Sequence, residues 1–201
     1  MIGPAEENRI KEIVQPILLK GRKGDWEHTL RAIDFGKYLL QNEPADEDIV
    51  IATLYLHDIG WSQIDFSDFI QASPARKIET QGLALHMQQG ARLADELLSD
   101  LGYDPAARRR IVAIIAVHDE PEKIFEMDDP SATMVVEADR LDRYGKQSLQ
   151  RYLKMFGPDY METEAWQEGN TLRLDGLNSW FKTATAKALA HKLAVEMGLF
   201  D

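Results

Sequence analysis

Six residues stand out as a set that can do chemistry: His28, His57 with Asp58 directly after it, His86, His118 and Asp139. A divalent transition metal is held by neutral imidazoles and carboxylates that converge on one point. The sequence has no cysteine, so disulfides, thiol nucleophiles and thiolate sites are excluded and any metal must take imidazole, carboxylate and water. Singly, each signal is weak. A buried histidine is more often a hydrogen-bonded core residue than a ligand, and Asp139 has Arg140 and Arg143 beside it as ion-pair partners. Jointly they weigh more, because burying several ionisable groups without a function is unfavourable and a metal offsets that penalty.

The elements that must position these residues are helical, since the apolar period is close to 3.6 almost throughout and no alternating strand is visible. One helix is expected over Ala5 to Lys20. A second runs from Asp25, as N-cap, to Gln41, with His28, Ala32, Phe35 and Leu39 on one stripe. A third, apolar all round from Ile49 to Leu56, reads as buried and ends in His57-Asp58-Ile59-Gly60, with Gly60 expected as its C-cap. Neighbouring side chains on a helix diverge by about 100°, but at a fraying helix end both His57 and Asp58 can reach one site, and one carboxylate can bridge two metals. Residues 61–79 read as a loop with one helical turn and as a candidate lid. A fourth helix, Thr80 to Ser99, carries His86, Gly90, Leu93 and Leu97 on a stripe; a fifth opens at Pro105 and places Ile111, Ile114, Ile115 and His118 on one face. The next follows Pro130 and Ser131 with Val135, Ala138, Asp139 and Asp142, and Asn178 is expected to cap a last helix. With no internal repeat or linker, the expectation is one all-α domain over 1–201.

Hydrophobic residues make up 44% of the chain, enough for a sizeable core. The formal net charge of -11, from 34 acidic and 23 basic residues, argues against long nucleic acid as a partner. A small anionic substrate stays open, because a bound cation reverses the local field of a pocket. No secretory leader pattern and no apolar stretch of about 18 residues is visible, so a cytoplasmic protein without a membrane partner is expected. A homodimer is compatible with this composition. Arg108, Arg109 and Arg110 read as a solvated turn, and His191 as a surface residue.

The fragments "WEHTLRAIDFGKYL", "IATLYLHDIGW" and "MVVEADRLDRYG" resemble the HD superfamily. That family has a spaced His, a His-Asp pair and a distant Asp on helices, and "HDIG" is typical wording for it. The resemblance covers about 25–145, leaving about 146–201 as a C-terminal helical extension, and implies a compact HD-type bundle. By resemblance, His28, His57, Asp58 and Asp139 hold a first metal. Some members add two histidines between the pair and the last Asp. His86 in "LALHMQQGARLADELL" and His118 in "IVAIIAVHDEP" match them, and would bind a second metal that Asp58 bridges. The alternative is that both support a single metal or touch substrate. Asp119 is left outside the ligand set, since the family does not require it.

The function so implied is a phosphohydrolase acting on a nucleotide or similar small phosphate ester. Its cofactor is one or two divalent metals (manganese or iron, with zinc, magnesium, cobalt and nickel also in range). The metal lowers the pKa of a water to near neutrality for attack on phosphorus and stabilises the developing charge. Asp58 and Asp139 carry the catalytic role as ligands that can orient the nucleophile. Many such enzymes have a Lys soon after the His-Asp-Ile-Gly run; here the chain reads Trp61-Ser62-Gln63. Phosphate contacts are therefore expected from Arg31, Arg140, Arg143 or Lys146. Two other readings share this ligand set or its remnant: a di-iron oxygenase acting on a small organic molecule, and a sensor that binds metal or nucleotide without turnover.

Overall fold

Short acidic and hydroxyl side chains decide where five of the helices begin, and a proline stands just inside two of those caps. The computed structural model describes residues 3–64 and 81–200. Among these are ten α-helices and no strand: α1 Pro4–Leu18, α2 Asp25–Leu40, α3 Glu47–Leu56, α4 Gln81–Asp100, α5 Pro105–Ile115, α6 Pro121–Glu126, α7 Pro130–Leu141, α8 Gly145–Phe156, α9 Glu164–Ser179 and α10 Ala184–Glu196. Asp46 accepts from Asp48 N and Ile49 N, Asp104 from Ala106 N and Ala107 N, and Asp129 from Ser131 N and Ala132 N. Each satisfies amides that a helix start leaves without partners. Pro105 and Pro130 follow the last two caps, where a missing N–H does no harm.

Several local expectations need correction. Gly24, not Asp25, is the N-cap of α2; its φ of 93° is left-handed, which glycine tolerates. Thr183, not Asn178, caps α10, because α9 continues through Asn178 to Ser179. Gly60 is not a C-cap. It lies in a 3-10 turn, Ile59–Gln63, where a Cβ would collide with the His86 carbonyl oxygen and sit 2.6 Å from Gly90 N. The glycine is needed for close approach of this turn to α4. The turn overlaps the start of the 61–79 segment; the remainder of that segment, 65–79, on which the loop and lid readings mostly fall, lies outside the described residues.

Helix α3 is the axis of the bundle. Every residue from Ile49 to Leu56 is buried, with α1, α2, α5 and α7 packed round it. Burying side chains such as Ile51 and Leu54 contributes about 1.5–3 kcal/mol each. Gly36 of α2 lets Leu54 approach to 2.5 Å from where a Cβ would be, which draws α2 and its histidine onto α3. The C-terminal helices join the same core through Phe181, Ala186, Ala190 and Ala194. Their docking onto α7 is fixed by buried Glu137, whose carboxylate accepts from Lys182 N (2.5 Å), Thr183 N (2.8 Å) and Thr183 Oγ1 (2.7 Å). A carboxylate at the N-terminus of α10 also meets the positive end of its dipole. Arg110 is not part of a solvated turn: it donates to Asp129 at 2.6 Å and reaches Asp46 at 3.3 Å, tying α5 to the caps of α3 and α7. Arg108 pairs with Asp95 at 3.0 Å, while Arg109 and His191 are exposed as expected. Among the described residues, no helix is long and apolar enough to cross a membrane.

Candidate metal centre

The bundle brings the inner ends of α2, α3 and α7 to one point. His28 stands in the first turn of α2, His57 and Asp58 follow the last residue of α3, and Asp139 is near the end of α7. His28 Nε2 lies 3.2 Å from His57 Nε2, 3.6 Å from Asp58 Oδ2 and 3.1 Å from Asp139 Oδ1. His57 Nε2 lies 3.5 Å from Asp58 Oδ2 and 3.7 Å from Asp139 Oδ1. Beside this group, the other Asp58 oxygen faces a second pair. Asp58 Oδ1 is 3.8 Å from His86 Nε2 and 3.7 Å from His118 Nε2, and the two imidazole nitrogens are 3.4 Å apart. All six residues named from the sequence are therefore neighbours, and Asp58 joins the two groups.

These spacings fit metal ions. Nitrogen and oxygen donors about 2.0–2.2 Å from one tetrahedral ion stand about 3.3–3.6 Å apart. The separations run from 3.1 to 3.7 Å in the first group and from 3.4 to 3.8 Å in the second, close to that range. The ring nitrogens are also correctly presented. His57 Nδ1 and His118 Nδ1 each donate at 2.8 Å to a backbone carbonyl three residues back, of Leu54 and Ile115. These carbonyls lie at helix ends, where intrahelical partners run out. The bond fixes the tautomer and leaves Nε2 free to accept or ligate. Burial lowers the pKa of His57, which favours the neutral form a metal needs.

A ring of further residues holds these ligands. His28 Nδ1 is 2.7 Å from Asp142 Oδ2, and Asp142 in turn accepts from Arg31 Nε (2.6 Å) and Arg151 Nη1 (3.1 Å). The Trp61 indole N–H donates to Asp58 Oδ1 at 3.0 Å while its ring stacks on His86 at 4.1 Å. Arg22 donates to Asp58 Oδ2 at 2.7 Å and lies over Trp61. Asp119 accepts from Arg140 Nη2 at 3.0 Å through Oδ1, and its Oδ2 is 3.3 Å from His86 Nε2. Burial alone would raise the pKa of Asp58, but Arg22 and His57 hold it well below the usual range. Asp119 is held down in the same way by Arg140 and His86.

The centre opens on a cavity of about 840 Å³. Arg22, Lys23, Lys123, Arg140, Arg143 and Arg151 line it, as do the apolar faces of Tyr152, Phe156, Leu172 and Trp180. Of the four basic residues named from the sequence, Arg140 and Arg143 reach this cavity. Arg31 does not line it, being turned onto Asp142. Lys146 is exposed, one residue past the left-handed Gly145 that starts α8, and is not at the cavity wall. Sequence reasoning missed Arg22, Trp61 and Arg151. Arg22 sits between glycines and looks like an ordinary turn residue. Only the fold puts it against Asp58.

The HD domain family model matches residues 25–144. No curated protein matches the chain. Among solved structures, it is similar to Bacillus subtilis YpgQ in complex with ADP, at 22% identity and a TM-score of 0.67 over 98% of this chain and 92% of that one. The selenomethionine form of YpgQ gives 23% and 0.66 over 95% and 90%. A protein described as a predicted HD superfamily hydrolase, from an uncultured Thermotogales bacterium, gives 19% and 0.60 over 92% and 84%. At such identities the likeness speaks for the fold. The family match spans more than half of the chain and takes in the segments of all six residues, and the chain belongs to the HD domain family.

Proposed function

We propose that this protein is a metal-dependent phosphohydrolase whose substrate is a nucleotide. The observation that carries the reading is the pairing of the two ligand groups with a cavity lined by six cationic side chains and six carboxylates, among them the candidate ligands Asp58 and Asp139. Divalent cations bound by those carboxylates would tip this even balance to positive and make the cavity a site for an anion. The aromatic and apolar wall of Tyr152, Phe156, Leu172 and Trp180 offers a surface on which a base can stack. YpgQ has been solved in complex with ADP, which agrees with a nucleotide as ligand.

His28, His57, Asp58 and Asp139 would hold one divalent metal, and Asp58, His86 and His118 a second. A bound divalent metal supplies a Lewis acid and brings the pKa of water close to neutrality. The chain supplies the rest. Asp142 and the Leu54 and Ile115 carbonyls hold the imidazoles in one tautomer. Arg22, next to Asp58, and Arg140, next to Asp119, bind phosphate oxygens and stabilise charge that builds on them. The partly exposed guanidinium of Arg143, 5.1 Å from the Trp180 ring, orients the distal part of the nucleotide. Asp139 Oδ2 lies 3.9 Å from Arg140 Nη1, a loose ion pair beside the ligand oxygen.

The test is turnover of a panel of nucleoside mono-, di- and triphosphates with manganese, magnesium, cobalt or iron, reading released phosphate and pyrophosphate. Metal-dependent release, undiminished without oxygen and lost in Asp58→Ala, is expected. Turnover that needs ferrous iron and consumes oxygen would overturn the hydrolase reading in favour of an oxygenase. Nucleotide binding without release under any metal would overturn it in favour of a sensor.

A further inference from the structure

Asp119 follows His118 just beyond the end of α5 and is no part of the six-residue set. Its side chain nevertheless reaches the second group. Oδ2 lies 3.3 Å from His86 Nε2 and 3.9 Å from His118 Nε2. Asp58 Oδ1 faces the same two nitrogens at 3.8 and 3.7 Å, and the nitrogens are 3.4 Å apart, so a carboxylate oxygen approaches the histidine pair from each of two residues. These five separations, 3.3–3.9 Å, lie near the 3.3–3.6 Å that donors about 2.0–2.2 Å from one ion would span. The first group has the same form, with Asp139 where the second has Asp119.

The orientation of Asp119 is set from behind. Its Oδ1 is held by Arg140 Nη2 at 3.0 Å and by Arg143 Nη2 at 3.4 Å. Arg140 also donates to the Asp119 backbone carbonyl at 2.7 Å, so the guanidinium grips both ends of the residue. Arg140 is itself buried. One oxygen is thus engaged and the other is aimed at the histidine pair, the arrangement by which an outer partner presents a ligand in monodentate form.

We propose that Asp119 is a metal ligand, the fourth protein donor of a second divalent-cation site with Asp58, His86 and His118. The inference rests on the metal-centre reading above and extends it by one residue. It gives the two sites matching donor sets, each of two imidazoles and two carboxylates with Asp58 in common. It also gives Arg140 a second duty besides binding phosphate, that of positioning Asp119.

Titration of the metal-free full chain with cobalt alone tests this, by calorimetry and by the visible absorption of bound cobalt. The wild type is expected to take two equivalents. Asp119→Asn should keep the first at unchanged affinity and weaken the second by about 100-fold or more, beyond the 10–100-fold typical of outer partners. Asp119→Glu retains the charge facing Arg140 but displaces the oxygen. It should weaken the second site alone and alter its absorption, which keeps a result available if the Asn variant does not fold. Two equivalents at wild-type affinity in both folded variants would overturn the proposal. Equal weakening of both sites would also overturn it, since Asp119 would then act through the fold. A wild type that takes one equivalent removes the second site and with it this inference, while one that takes none removes the whole metal centre.

Discussion

Asp142 is the carboxylate that His28 leans on, and Asp142→Asn separates its role from those of the metal ligands. Its Oδ2 lies 2.7 Å from His28 Nδ1, and the same carboxylate takes Arg31 at 2.6 Å and Arg151 at 3.1 Å. An asparagine of the same shape keeps an acceptor for His28 but removes the negative charge that makes the imidazole a stronger donor. Loss of such an outer partner lowers metal affinity about 10–100-fold, or about 1.4–2.7 kcal/mol. The change also leaves Arg31 and Arg151 without their acid. Hydrogen bonds to charged groups are worth about 1.5–3 kcal/mol. Because these arginine side chains keep 19% and 22% exposure and can turn to solvent, a net loss of about 2–4 kcal/mol is expected. For a chain of this size that is roughly 5–15 °C in Tm. Competition between the protein and a colorimetric chelator for cobalt reads the affinity, and calorimetry reads the unfolding. A variant that folds and binds the first equivalent as tightly as the wild type would refute the role given to Asp142, whatever its Tm.

Other outcomes follow from the same geometry. Burial on its own would lower the pKa of His28, but its hydrogen bonds to Asp139 and Asp142 raise it from 6.5 to about 10. A raised pKa stabilises the fold fully below the unfolded value and is lost as pH climbs through the folded one. Chelator-treated protein should therefore lose Tm between about pH 6.5 and 10, and metal uptake at pH 8 should release a proton; a Tm that rises over that window would contradict the pairing. Glu137→Gln should cost about 1–3 kcal/mol by weakening the bonds to Lys182 and Thr183, with metal content unchanged by elemental analysis. Gly60→Ala should push α4 away from the His57 carbonyl end of α3, because its Cβ has no room against His86 and Gly90. Its second equivalent of metal should be lost before the first, and retention of both with a wild-type Tm would show that the close contact has slack.

The all-α class was legible because period and caps agreed: Pro105 after Asp104 and Pro130 after Asp129 are strong local signals, and both helices start there. The convergence of His28, His57, Asp58, His86, His118 and Asp139 was legible from ordered spacing, since a histidine on an apolar stripe has to face the core. What stayed hidden depended on contacts remote in sequence. Arg31 stands one turn after His28 and suggests a phosphate contact, yet Asp142, 111 residues away, takes it. Arg110 looked solvated within a basic triplet, but its partners Asp129 and Asp46 are set by how α5 crosses α3 and α7. Asp119 was set aside on resemblance alone, and only the grip of Arg140 reveals which way its carboxylate points. The N-caps of α2 and α10 were misplaced by one and five residues, at Gly24 and Thr183. Glycine at a left-handed start has no side-chain signal. Thr183 acts together with Glu137 from another helix.

The metal content of the purified protein, as equivalents per chain by elemental analysis beside an Asp58→Ala variant, is the most direct check on a centre joined by one carboxylate. Two transition-metal equivalents in the wild type, both largely lost in the variant, are expected, because Asp58 faces both histidine pairs. A wild type that stays empty after reconstitution with manganese, iron, zinc and magnesium, or a folded variant that keeps its full metal, would contradict it.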